Sequence, residues 1–342
     1  MGNAAPANPG FVYEGYHRFW QVADLLMQDV EPSQAAWQGL LSAPGYRELL
    51  DREFAPDFFP DHFRVAFKPS LGSNLAQVLR GGPYAGLIRH YLHAAETRDH
   101  IARRMAAIAS APVADEAREA ALAWLPAGLS PDFPTVAFVI FGPDARGFSS
   151  VVLDAAFACQ LPTPVPMLAH EYHHVFREAL KAPRTPPDPG EADVRWVLDQ
   201  LETEGIADQI DKRDWLRRAP SAPGRVAEYA RRYLEHFTAA PARIRQLDAL
   251  LTAWRDAPDE RPNIGKRLRA AIPLAGHPTG SFMARLIAGH LGRSACAGAV
   301  GDPFAFMRLY SAAARASGMG PALSDAALEA VAALERSCLL AW

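Results

Sequence analysis

The sequence predicts an α+β protein that is predominantly α-helical, on three observations. Apolar residues recur at helical spacing over most of the 342 residues. One segment near the middle, residues 135–141, is instead rich in β-branched and aromatic residues, as strands are. The hydrophobic content of 49% with 21% charged residues is that of a globular chain that buries a sizeable core.

Residues 1–125 are predicted to form an N-terminal helical region. Between Phe11 and Asp51 the helical apolar pattern is interrupted twice by proline, which predicts several short helices. Ser70 is predicted to cap a helix that runs through Arg80, and the pattern that follows predicts a buried helix ending at about Ala109.

Residues 126–218 are predicted to form a core with a small β-hairpin or sheet. Two extended segments, 135–141 and 149–154, flank the turn-forming residues 142–147, which predicts that they pair as a hairpin. Pro166 suits the first turn of a helix that runs to Lys181. After a proline-rich loop, a second long helix is predicted from about Glu191 to Arg217.

Residues 219–342 are predicted to form a C-terminal helical region that closes a cleft. Apolar periodicity predicts helices over four segments, Val226–Trp254, Pro278–Leu291, Pro303–Ala316 and Ser324–Leu340.

Composition and charge exclude several classes of protein. The 35 basic and 38 acidic residues give a net charge of −3, so no nucleic-acid partner is expected. No apolar run approaches the roughly 20 residues of a membrane-spanning helix, so no membrane partner is expected either. The three cysteines lie far apart, and residues 1–10 lack the basic start and apolar centre of a signal peptide, which together favour a cytoplasmic location. The sequence does not predict an oligomeric state.

The segment Leu168–His174 contains the pattern H-E-x-x-H on the predicted helix. His170 and His174 are four residues apart, so both imidazoles project from one face of the helix and can bind one metal ion. Glu171 stands beside them, in position to act as general base on a metal-bound water. The pattern therefore predicts a zinc site, and zinc is the predicted cofactor.

A catalytic zinc needs a third protein ligand, and the following helix offers Glu204. The apolar stripe of that helix, continued by three and four residues, puts Glu204 and Asp208 on the buried side. Asp208 is predicted to accept a hydrogen bond from the second ring nitrogen of a ligating histidine. Glu202 points roughly the opposite way and is predicted to be solvated. Gly205 predicts that another helix carrying ligands approaches closely here.

H-E-x-x-H followed by Glu204-Gly205-Ile206-Ala207-Asp208 resembles the gluzincin metallopeptidases. Most of the chain is more closely similar to a bacterial family of largely uncharacterised zinc-dependent proteases, on six segments: Glu31 to Tyr46, Phe141–Gly147, Ala169–His174, Gly205–Lys212, Gly276–Gly280 and Gly301–Tyr310. The resemblance implies a zincin-like core in which the third zinc ligand is a glutamate on the following helix and an extended substrate binds along a sheet edge.

The resemblance also implies that a Tyr or His stabilises the developing oxyanion. The candidates are Tyr310, His277 and His290, of which Tyr310 and His277 are preferred. The sequence departs from the family at Ser281, where an aromatic residue is expected after Gly280.

The predicted function is hydrolysis of a peptide or peptide-like amide bond by a zinc enzyme in which Glu171 is the general base. Three alternatives remain open at this point. The substrate could be a non-peptide amide or specialised metabolite, or the chain could be a binding module that retains zinc without turnover, a reading motivated by Ser281. The third alternative is a di-iron helical bundle, which a second Glu-x-x-His pattern at Glu14–His17 suggests. Gly15 and the predicted strands fit that class poorly.

Overall fold

A computed structural model describes residues 10–110, 112–129, 131–132, 134–218 and 225–339. The described chain is mostly helical with one small sheet, which confirms the predicted α+β, predominantly α, class. It divides into two compact units, one of residues 1–118 and 132–175 and the other of residues 119–131 and 176–342. The boundary between residues 175 and 176 falls inside one helix of the predicted core. The predicted division into regions 1–125, 126–218 and 219–342 remains a prediction.

The first unit contains the sheet and most of the N-terminal helices. Its elements are β1 (Phe11–Val12), α1 (Glu14–Met27), α2 (Gln34–Leu41), α3 (Tyr46–Arg52), α4 (Phe58–Phe67), α5 (Gly72–Leu79), α6 (Ala85–Glu96), α7 (Arg98–Ser110), β2 (Val136–Val139), β3 (Ala145–Gly147), β4 (Val151–Asp154) and α9 (Ala155–Gln160). Helices α8 (Val113–Leu122) and α10 (Val165–Leu180) each begin in this unit and end in the other.

The strand order is β1-β2-β4-β3, in which β1, β2 and β4 are parallel and β3 is antiparallel to β4. The predicted hairpin between residues 135–141 and 149–154 is therefore wrong, because Val136 pairs in parallel with Val151. Every residue of β2 and β4 is buried, as is typical of parallel strands covered on both faces. The turn-forming segment contains the short strand β3, and it is β3 that forms a hairpin with β4.

Buried polar groups fix the end of the sheet. The Asp154 carboxylate accepts hydrogen bonds from the backbone N–H groups of Phe157 (2.8 Å) and Phe141 (2.8 Å) and lies 3.0 Å from Nε2 of His90. It therefore caps α9 and holds the chain that leaves β2 at the same time. The hydroxyl of Tyr46 donates to the carbonyl of Ile140 at 2.7 Å, next to that point.

Among the described residues of the second unit, the regular elements are all helices. Its helices are α11 (Ala192–Arg218), α12 (Arg225–Thr238), α13 (Ala240–Asp256), α14 (Arg261–Ala271), α15 (His277–His290), α16 (Arg293–Ala297), α17 (Pro303–Ser317) and α18 (Asp325–Leu339). The segment predicted as one helix, Val226–Trp254, is divided at Ala239 into α12 and α13. The predicted end at Leu340 lies outside the described residues, and no described helix is long and apolar enough to cross a membrane.

Candidate metal centre

The H-E-x-x-H segment lies in the middle of α10, as predicted from its spacing. The imidazole rings of His170 and His174 are one turn apart, with centroids separated by 4.6 Å and planes at 87°. His170 and Glu171 are buried, and His174 is half-buried. Two imidazoles on one face of a helix match the nitrogen donors that zinc prefers, so this turn fits the metal that the sequence predicts.

The strand β3 packs directly against this turn. A Cβ added at Gly147 would lie 2.6 Å from the carbonyl oxygen of Glu171, 2.9 Å from Cβ of His174 and 3.2 Å from Oε2 of Glu171. Only glycine has room there, because the nearest atom is backbone and cannot rotate away. The sequence pattern predicts Gly147 only as a turn residue, because nothing local indicates which helix packs against it.

Ion pairs between Arg146, on β3, and two acidic residues of the first unit hold the strand in place. The guanidinium of Arg146 donates to both carboxylate oxygens of Glu53 at 2.8 and 3.0 Å, and it lies 2.6 Å from Asp144. A bidentate guanidinium–carboxylate pair fixes orientation as well as distance. In the described sheet β3 is the last strand of the order and pairs with β4 along one edge.

In the second unit, Glu204 on α11 and His277 at the start of α15 come together. Oε2 of Glu204 lies 3.3 Å from Nε2 of His277, and Oδ1 of Asp208 lies 3.0 Å from the other ring nitrogen, Nδ1. Asp208 is predicted to bind a histidine that ligates zinc; the ring beside it here is that of His277, which is predicted as a candidate oxyanion donor and not as a ligand. Burial by itself lowers the pKa of His277, but the carboxylates of Glu204 and Asp208 outweigh burial and raise this pKa above its usual value.

A backbone-to-backbone crossing of α11 and α15 brings these groups together. A Cβ added at Gly205 would lie 2.5 Å from the carbonyl carbon and oxygen of Gly280, and one added at Gly280 would lie 2.3 Å from the carbonyl oxygen of Leu201. A helix approaches Gly205 closely, as predicted, but that helix is α15, which carries none of the predicted zinc ligands. Just before His277 the chain takes three consecutive left-handed residues, Leu274, Ala275 and Gly276, which turn it into the helix.

Glu202 is fully buried, so the prediction that it is solvated is wrong. Its Oε2 pairs with the guanidinium of Arg177 at 2.5 Å, and its Oε1 accepts from the backbone N–H of Gly301 at 3.1 Å. Arg177 is almost fully buried as well and also contacts Asp199 at 2.8 Å. The buried carboxylate that a core arginine neutralises is therefore Glu202. Sequence periodicity placed this residue on the exposed face of the helix.

The remaining candidates for the oxyanion are placed elsewhere. The hydroxyl of Tyr310 donates to the carbonyl of Pro321 at 2.8 Å, and burial raises its pKa above the usual value. His290 ends α15 and is exposed. Ser281 lies beside Gln209, whose amide donates to the Ser281 hydroxyl at 3.2 Å. Among the three candidates, His277 is the one beside Glu204.

Comparison with known proteins gives one match. A family model described as "Putative zinc dependent peptidase (DUF5700)" matches residues 37–318, which include all the residues discussed above as metal ligands, base and oxyanion donor. No curated protein and no solved structure matches the chain.

Proposed function

The chain belongs to the family described as "Putative zinc dependent peptidase (DUF5700)", and we propose that it hydrolyses a peptide or peptide-like amide bond. His170, His174 and Glu204 would hold the zinc ion, and Glu171 would act as general base. The observation that carries the proposal is the pair of imidazoles on one face of α10, packed against the short strand β3.

The helix pairing within the second unit supports Glu204 as the third ligand. On the C-terminal half of α10, Arg177 pairs with Glu202. Four residues later, Lys181 pairs with Asp199 at 3.1 Å. The order along one helix reverses along the other, so the two segments run antiparallel. Within this unit the end of α10 therefore lies beside the segment of α11 that leads directly into Glu204.

Zinc held in this way would supply a Lewis acid that polarises the substrate carbonyl and lowers the pKa of water. Glu171 follows the first ligand directly, and its carboxylate lies beside β3. In the proposed reaction Glu171 would take a proton from the attacking water and return it to the leaving amine. Its burial excludes bulk water from this exchange.

His277 would supply the hydrogen bond to the developing oxyanion. Asp208 binds Nδ1 and so fixes the ring with Nε2 turned toward Glu204. A donor held in advance stabilises a developing charge without paying for reorientation during the reaction, and removing one such donor commonly slows turnover about 100- to 1,000-fold.

The edge of β3 that does not pair with β4 would receive an extended substrate. An extended peptide that adds to a sheet edge gains main-chain hydrogen bonds, and Gly147 lets the strand lie against the catalytic turn. The substrate bond would then pass close to Glu171. This arrangement favours an extended peptide over a compact small-molecule amide.

Turnover of quenched-fluorescent casein, with and without a zinc chelator, tests the proposal. We expect hydrolysis that the chelator abolishes and that added zinc restores, with Glu171→Gln inactive although it retains zinc. Hydrolysis that persists in Glu171→Gln would contradict the assignment of the base. Zinc-loaded protein that cleaves neither casein nor a library of short peptides would contradict the peptidase proposal.

A further inference from the structure

The side chain of Tyr233 reaches the Asp208 carboxylate from a helix that the proposed reaction does not use. Tyr233 lies on α12, is fully buried, and donates its hydroxyl to Oδ2 of Asp208 at 2.5 Å. The opposite oxygen, Oδ1, is the one that faces His277. One carboxylate on α11 is therefore bound by groups from α12 and α15 together.

Two bonds on opposite oxygens fix the rotation of a carboxylate. The terminal torsion of an aspartate has a broad energy profile, so each hydrogen bond to the carboxylate narrows the rotation that it adopts. The nearby Lys212 offers a weaker restraint, because its Nζ is 3.7 Å from Oδ1 and already lies 2.5 Å from Asp211. The Tyr233 hydroxyl is the short bond on Oδ2. Burial, and after it the charge of Asp208, hold the pKa of Tyr233 well above its usual value, so the hydroxyl keeps its proton and remains a donor.

We propose that Tyr233 is a positioning residue for His277 and acts through Asp208. The hydroxyl holds the carboxylate in the rotation at which Oδ1 accepts from Nδ1 of His277, and this holds Nε2 beside Glu204. The catalytic meaning of the proposal rests on the proposed function, because it requires that His277 serves the reaction. The structural part, the control of the His277 ring by Tyr233, does not depend on it.

The test is Tyr233→Phe, which removes only the hydroxyl, in zinc-loaded protein with nitrogen-15-labelled histidine. The matched control is Tyr46→Phe, since Tyr46 is equally buried and donates one hydroxyl bond to a backbone carbonyl in the first unit. In wild-type protein we expect a deshielded, slowly exchanging Nδ1 proton, assigned to His277 by its loss in His277→Asn. In Tyr233→Phe this signal broadens or disappears, and in Tyr46→Phe it is unchanged. An unchanged signal in Tyr233→Phe would overturn the proposal.

A measurement on wild-type protein covers the case in which Tyr233→Phe does not fold. The two protons that are hydrogen-bonded to the Asp208 carboxylate lie close together. The Tyr233 hydroxyl proton should therefore be visible and show a cross-relaxation peak to the His277 Nδ1 proton. A Tyr233 hydroxyl that exchanges as fast as an exposed one would overturn the proposal.

Casein turnover supplies the functional readout. A lost hydrogen bond to a charged group commonly costs about tenfold, so Tyr233→Phe is expected to lower kcat roughly tenfold with KM changed less than about twofold. Tyr46→Phe should leave kcat unchanged. A change confined to KM would overturn the positioning role. Wild-type protein with the expected His277 signal and no turnover would contradict the proposed function and leave the control of His277 by Tyr233 supported.

Discussion

The crossing of α11 and α15 at Gly205 and Gly280 is the contact on which the Glu204–His277 pair depends, and Gly205→Ala perturbs it with one methyl group. The new Cβ would lie 2.5 Å from backbone atoms of Gly280, whereas ordinary contacts begin at 3.4 Å. The helices must therefore separate by about 0.9 Å, the difference between those two distances. No side-chain rotation relieves the overlap, because the opposing atoms are backbone.

The free energy of unfolding follows from two opposing effects. Overpacking of a tight core commonly costs about 1–3 kcal/mol, and the rigid backbone places this case near the upper end. Replacing glycine by alanine inside a helix gains up to about 1 kcal/mol. Gly205→Ala should therefore lose about 2 kcal/mol. Gly289→Ala is the matched control on α15, since nothing lies within 4 Å of its added Cβ and only the gain applies.

Urea unfolding followed by circular dichroism compares the two variants with wild-type protein, and zinc titration compares their metal affinity. We expect Gly205→Ala to unfold at lower urea and Gly289→Ala at the wild-type concentration or slightly higher. The separation of the helices also moves Glu204 from His277, so zinc affinity should fall about 10- to 100-fold in Gly205→Ala alone. Equal stability and equal affinity in the two variants would refute the close crossing.

Three further predictions follow from other contacts. Glu171→Gln should keep zinc and lose about 100- to 10,000-fold in turnover, measured by metal content and casein hydrolysis of the same sample. Undiminished turnover would exclude Glu171 as the general base. Arg177→Met leaves the buried Glu202 carboxylate unpaired and should cost about 3–5 kcal/mol in urea unfolding, most of which the additional change Glu202→Leu should recover. The Arg64 guanidinium, chiefly, lowers the pKa of Glu31 from 4.5 to about 2, so the stabilisation by this group is present above pH 4.5 and is lost as the pH falls towards 2. Glu31→Gln should flatten the stability curve over that range, and an unchanged curve would contradict the assignment.

Local patterns predicted the α10 helix well. The histidines and Glu171 follow directly from a spacing of four residues, and the helix ends at Leu180, next to the predicted Lys181. Long-range pairing was beyond these patterns. The parallel register of β2 and β4 depends on tertiary contacts that the local sequence does not encode. The short strand β3 was not predicted because its residues are typical of turns.

The two acidic residues of α11 show the limit most clearly. Periodicity assigned Glu204 to the buried side and Glu202 to solvent, yet Glu202 is the fully buried one. Its partner Arg177 lies on another helix, and nothing in the local pattern of α11 indicates that a charge will be neutralised there. For Asp208 the sequence predicts a bond to a zinc-ligating histidine, whereas the ring beside it is that of His277, a residue distant in sequence that periodicity on α11 does not indicate.

The zinc content of the purified chain tests whether His170 belongs to a site that binds one zinc ion. Elemental analysis of wild-type protein, His170→Ala and the control His290→Ala, whose side chain is exposed at the end of α15, should give one zinc per chain in wild-type protein and in the control. His170→Ala should contain almost none. Zinc retained in His170→Ala at the wild-type level, or iron in pairs in place of zinc, would contradict the account.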